Sequence, residues 1–386
     1  MFGDRLKIKR DLRVDFIRGL ALLTIFIDHV PGNRWAAVTQ QNFGFSDAAE
    51  MFVVLAGFSA VLAYGRYLDG NQVSVGVRRV ASRVGTIYVF HIFTLIVVGI
   101  ILALLAGLPQ SAEYVRLMMF DGLMSGDPGS IAGALLLLEQ PKYFDILPLY
   151  VVLLAVFPLL YMLLRRSLLL GIGASAALWL LVQFTGVNLL KIDGSGWHFN
   201  PFAWQLLLVI GMASALQVRR GGVPRSAILI ALAMAVLVIS FVLRAPWTHW
   251  PLHIDATPVD LKPYGAFMLK TSLGPARLIH ILSVGYLLLV LVPPRARWLK
   301  SPAARVVADA GSNSLEVFCA GVIFSVIAGA IISAFGGGPL VESWLTTAGV
   351  AALLYVGLAI ARNVRARKAA RSRVPKVHSA EVFARA

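Results

Sequence analysis

Arg18 and His29 stand eleven residues apart in the segment RGLALLTIFIDH, a spacing that could do chemistry. On a helix that separation returns to within about 20° of the starting face and rises about 16 Å. Arg18, Leu22, Ile25 and His29 therefore share one stripe. A guanidinium at one level and an imidazole at another suit anion binding and proton transfer respectively. The plain alternative is an arginine snorkelling to one interface and a histidine resting at the other. Asp47 and Glu50, at i and i+3, share a face at the start of the next apolar stretch. The connection before them is short enough to bring either acid to His29, where a carboxylate would hold one tautomer and strengthen the general base. Asp47 fits a helix N-cap equally well. Asp28 points about 100° away from His29 and is the weaker candidate.

Arg78, Arg79 and Arg83 form a basic cluster before the third apolar stretch. Such a cluster is either an interfacial charge belt or a phosphate site using charge-assisted bonds. In QPKYFDILPLY, Tyr143 and Asp145 either line an acceptor pocket or open a kinked helix at an interface. Trp197 and His198, with Trp247, His249, Trp250 and His253, place flat indole faces where sugar rings could stack or where an interface could be anchored. No His/Cys/Asp/Glu spacing suits zinc and no glycine-rich nucleotide loop precedes a helix, so no metal and no permanently bound cofactor is expected.

The elements that must carry these residues are membrane helices. The 386 residues are 58% hydrophobic and 14% charged, with a mean hydropathy of +0.78. A soluble chain could not keep so apolar a surface covered. Spans of roughly 20 residues are expected at 14–31, 47–64, 84–107, 143–164, 168–187, 201–217, 226–243, 275–292, 314–335 and 343–361. The fold class expected is an all-α polytopic bundle of about ten spans, N-in and C-in. Residues 1–361 form one transmembrane domain and 362–386 a basic cytoplasmic tail.

The formal net charge of +16 raises the question of a nucleic-acid partner, and its distribution answers no. Of the 35 Lys and Arg residues, 26 fall in the segments expected inside, including 65–83, 217–225 and 293–311, and 7 in those expected outside. Arg18 and Arg277 lie within spans. That split follows the positive-inside rule and predicts a bilayer as the partner. The first span contains Arg18 and Asp28 and lacks a small-residue cleavage site, so it reads as retained. Cys319, the single cysteine, lies in an apolar helix and reads as packing. The small residues of Val53-Val54-Leu55-Ala56-Gly57-Phe58-Ser59 suit a close helix approach. The connections 108–142 and 244–274 are too short for an independent core but long enough for short interfacial helices. No motif repeats at a fixed period, which disfavours an inverted-repeat transporter.

These motifs together resemble the OpgC-type membrane proteins, linked to succinylation of osmoregulated periplasmic glucans and related to the broader membrane acyltransferase-3 superfamily. The resemblance rests on 10–33, 43–64, QPKYFDILPLY at 140–150 and GSNSLEVF at 311–318. The basic residue and His of the first helix match in register at Arg18 and His29. Ala56 stands where a serine is common, and Arg78, Arg79 and Arg83 lack the proline that usually follows. The resemblance implies a bacterial inner-membrane enzyme that moves a succinyl group from cytoplasmic succinyl-CoA to a periplasmic glucan hydroxyl. His29 would act as base with Glu50 or Asp47 orienting it, Arg18, Arg79 and Arg83 would bind the donor, and Asp145, Tyr143 and Trp197 the acceptor. The alternatives are transfer of an acetyl or other acyl group to another envelope polysaccharide, a glycan transporter or exporter, and a structural scaffold.

Overall fold

Apolar runs set the helices and capping residues set their ends. The computed structural model describes residues 11–373 apart from 71, 246–261 and 295. Trp247, His249, Trp250 and His253 lie outside the described residues, as does the tail beyond 373. The long helices are α1 (Leu12–His29), α2 (Ala48–Leu68) and α3 (Val73–Leu105). Short α4 (Ala112–Leu117), α5 (Asp121–Met124) and α6 (Pro128–Leu135) follow. Then come α7 (Ile146–Arg166), α8 (Leu168–Thr185), α9 (Pro201–Arg219), α10 (Ala227–Arg244), α11 (Pro275–Leu291), α12 (Pro302–Ser312), α13 (Ser314–Phe335) and α14 (Pro339–Arg373). Asp11, Asp47, Ser167, Asn200 and Ser226 each cap a helix through the side chain, satisfying donors that the bilayer could not.

Among the described residues, 8 helices are long and apolar enough to cross a membrane. Of the ten expected spans, α1 and α11 are the two that fall short. The 18 residues of α1 include Arg13, Asp15, Arg18 and Asp28, and α11 is 17 residues long. The charges of α1 are tolerated because α2, α12, α13 and α14 surround it, which keeps them from lipid. The connection 108–142 contains the three short helices, as its length suggested.

Two boundaries differ from the sequence reading. Residues 302–312, counted there within an inside connection, form α12, which packs along α1 and against α14. Their hydropathy is too low to reveal a helix that another helix, not lipid, covers. The 35 residues of α14 continue through position 361 without a break. Beyond that point Arg365 pairs with Asp309 at 2.8 Å.

Two glycine pairs let α2 cross α9 and α1 cross α12 backbone to backbone. A Cβ on Gly57 would fall 2.0 Å from the Leu208 carbonyl oxygen, and one on Gly211 2.0 Å from that of Val54. Gly19 and Gly311 make the same approach to Val307 and Asp15. The close approach expected around Gly57 is therefore present. Gly57→Ala should destabilise the protein by about 1–3 kcal/mol or more, since backbone cannot step aside as a side chain can. A melting temperature in detergent equal to that of wild type would contradict this crossing.

At the end of the bundle where α2 stops, Asp69 pairs with Arg165 at 2.8 Å and with Arg219 at 3.7 Å. The ends of α2, α7 and α9 thus meet at one level. His29 and the start of α2 occupy the opposite level, and the site lies there.

Candidate active site

A cavity of about 450 Å³ opens between the end of α1, the start of α2, the 118–146 segment and the residues before α11. His29, Asp47, Tyr143 and Asp145 line it, as do Asp28, Lys142, Lys191, His198 and Lys270. Hydrogen bonds tie its walls to one another. The Lys142 amide donates to Met118 O (3.1 Å), Ile192 N to Leu138 O (3.1 Å), and Asn200 N to Thr271 O (3.2 Å). The Trp204 indole donates to Lys270 O at 3.0 Å.

Backbone strain concentrates around this cavity. Among the described residues, the non-glycine residues with left-handed backbone are Met119 (φ 59°), Leu137 (φ 63°), Tyr143 (φ 74°) and Leu273 (φ 50°). Met119 and Tyr143 line the cavity, Leu137 accepts a hydrogen bond from the cavity residue Gln140, and Leu273 donates to Lys270 O. Each costs about 1–3 kcal/mol and persists where the surroundings over-determine it, which is characteristic of functional sites.

His29, the last residue of α1, is partly buried. Its ring stacks on Tyr143 with centroids 4.3 Å apart and planes at 29°. The Tyr143 hydroxyl donates to the His29 carbonyl at 3.0 Å. Asp28 turns away and accepts from the Thr39 hydroxyl (2.6 Å) and the Gln41 amide (2.9 Å).

The expected contact between His29 and a carboxylate is replaced by a different pairing. Asp47 caps α2 by accepting from Ala49 N, and Glu50 reaches back to Asp47 N at 2.9 Å, forming a capping box. Asp47 then takes Lys270 at 2.7 Å and Arg277 at 3.0 Å. Glu50, 0% exposed, takes Arg277 at 2.5 Å. A fully buried carboxylate needs a full counter-charge, which a neutral imidazole cannot supply and a guanidinium can. Burial alone would raise the Asp47 carboxyl, but Lys270 and Arg277 overcome it and hold it well below the usual range. Asp47 remains in the cavity and within electrostatic reach of His29. Glu50 lies behind the cavity as a structural partner.

Of the residues expected to face an acceptor, Tyr143 and Asp145 line the cavity and Trp197 does not. Trp197 is 2% exposed, so no indole face is open to a sugar. Lys270 and Arg277 were not among the expected site residues. The signal for Arg277 was a lone charge in an apolar stretch, which implies a partner somewhere in the fold.

Arg18 lies the expected three turns from His29, on the side away from the cavity. It donates to the Leu55 carbonyl at 3.0 Å and to the Ser59 hydroxyl. Arg79 is exposed and lies over the Tyr67 ring at 4.5 Å, and Arg83 is partly buried on the same helix. Among the described residues, none of the three guanidiniums forms an ion pair with an acid. Among the described residues no group of three or more His, Cys, Asp and Glu could hold a metal ion.

A many-helix bundle with enclosed charges and a polar cavity holding an imidazole defines a polytopic membrane protein equipped for acid–base chemistry. The chain belongs to the OpgC protein family, whose model matches residues 10–366. Membership assigns it a glucan-modifying, acyltransferase-like role. Neither a comparison with curated proteins nor one with solved structures finds a match.

Proposed function

We propose that the protein is an inner-membrane O-acyltransferase moving a succinyl group from cytoplasmic succinyl-CoA to a hydroxyl of a periplasmic glucan. One observation carries this reading. A single helix holds His29 in a polar cavity at one level and, about 16 Å along the axis, Arg18 without any acid partner at another. An intramembrane guanidinium bonded only to a carbonyl and a hydroxyl is open to an anionic ligand. With the N-terminus inside, Arg18, Arg79 and Arg83 face the donor side and the cavity faces the acceptor side.

In the reaction the glucan hydroxyl oxygen attacks the thioester carbonyl, the new ester bond forms and the carbon–sulfur bond breaks. His29 accepts the hydroxyl proton and returns it to the departing thiolate. The Tyr143 stack and its bond to the His29 carbonyl set the plane of the ring. Lys270 and Lys142 oppose a charged ring more than Asp47 favours one, so His29 meets the hydroxyl as the neutral base. Asp145 and Tyr143 offer polar contacts to the sugar.

The test is transfer in proteoliposomes of defined orientation. Isotopically labelled succinyl-CoA is supplied on one side and glucan on the other, and the product is read by mass spectrometry. The expected result is labelled succinyl ester on the glucan, with added acid charge. Neutral acetyl esters formed from acetyl-CoA at a higher kcat/KM would move the donor assignment to acetyl. No transfer from any acyl-CoA would remove the enzyme reading.

A further inference from the structure

Gln140 lines the cavity that holds His29 and takes no part in the acid–base steps above. The loop that carries it is pinned on both sides. Upstream, the amides of Leu138 and Glu139 both donate to the Gly133 carbonyl, at 2.7 and 3.1 Å, and Leu137 holds its left-handed backbone. Downstream, Pro141 restricts the Gln140 backbone to extended conformations, and the Lys142 amide is tied to Met118. The side chain is fixed as well. It is 7% exposed, and its Nε2 donates to the Leu137 carbonyl at 3.0 Å. A carbonyl only accepts, so the amide nitrogen must be the atom that faces Leu137. Oε1 is the atom left over.

Among the described residues no protein group donates to that buried oxygen. Buried side-chain acceptors are ordinarily paired, and an exception in a cavity wall calls for a partner from outside the chain. The acids of the same wall provide the contrast. Asp28 accepts from Thr39 and Gln41, and Asp47 is taken by the Ala49 amide, Lys270 and Arg277. An amide oxygen carries no charge and needs no cation, so the group that suits it is a neutral hydrogen-bond donor. On a saccharide that donor is a hydroxyl. It cannot be the reacting one, because a hydroxyl has a single hydrogen and that hydrogen goes to His29.

We infer that Gln140 is a specificity-determining residue whose Oε1 accepts the hydrogen of a second, non-reacting hydroxyl of the acceptor sugar. This deepens the proposed acceptor reading and rests on it. A chemical consequence follows. An ester at that second position has lost the hydrogen and leaves Oε1 unpaired in a buried site, so a sugar unit already acylated there is rejected.

The experiment uses the full-length protein in detergent with a glucose oligosaccharide and its monodeoxy, monodeoxyfluoro and mono-O-acetyl derivatives. Each is measured for equilibrium binding and for transfer from succinyl-CoA. Wild type is compared with Gln140→Met, which keeps the length of the side chain and removes both polar atoms. In wild type, removing one non-reacting hydroxyl should raise Kd about 10–100-fold, the effect of leaving a buried acceptor unpaired. The fluoro derivative at that position should lose as much, because fluorine cannot donate, and the acetylated one at least as much. In Gln140→Met the parent and these derivatives should bind alike, a coupling that a loss of stability by itself does not produce. Equal penalties in wild type and variant overturn the inference and leave Oε1 to water. A fluoro derivative that binds like the parent overturns it too, since the hydroxyl is then accepting. A wild type that shows the coupling and transfers no acyl group sinks the acyl-transfer reading and leaves the contact standing. A wild type that binds no oligosaccharide sinks the contact.

Discussion

His29→Ala should lower the rate of acyl transfer by about 10²–10⁴-fold, the range a positioned general base supplies. The loss should fall on kcat. Coenzyme A binding should stay at the wild-type level, because the ring lies in the cavity and the Arg18 guanidinium lies about 16 Å away along α1. Single-turnover transfer measured beside equilibrium binding separates the two effects. A variant that transfers at close to the wild-type rate would take His29 out of the mechanism. Equal loss of donor binding would mean that the ring shapes the bundle instead of moving a proton.

Arg277→Ala should destabilise the protein by about 3–5 kcal/mol, the cost of leaving a buried charge without its partner. Glu50, at 0% exposure, would keep its bond to Asp47 N and lose the guanidinium. Asp47 would keep Lys270. The double variant Glu50→Gln/Arg277→Met removes both charges and retains a carbonyl oxygen for the capping bond, so it should recover most of the loss. Thermal or denaturant unfolding in detergent reads both numbers. An Arg277→Ala protein as stable as wild type, or a double variant no better than the single, would show that the pair is not the staple between α2 and α11.

These two residues also mark how far the sequence could be read. The helix carrying Arg18 and His29 was legible because helical periodicity is local: eleven residues and a fixed rise determine which side chains share a face. The capping role of Asp47 was legible for the same reason, being one of two readings left open there. What faced Glu50 was not, since Arg277 is 227 positions away in the chain and only packing brings α11 to α2. Trp197 illustrates the converse. An indole in an expected outer segment suggested a sugar platform, and the fold buried it. α12 escaped notice because hydropathy detects helices that lipid covers, whereas this one is covered by α1 and α14.

By itself the sequence determined that this is a helical membrane protein, which family it resembles, and that an arginine and a histidine lie three turns apart on one stripe. Those properties follow from composition and from the short-range geometry of the backbone. Only the tertiary structure decided that the acids at the start of α2 answer Lys270 and Arg277 and that Tyr143 supports the His29 ring. Each of those outcomes depends on charges and hydroxyls from distant segments meeting where water is scarce, and counter-charge there is chosen by proximity in space.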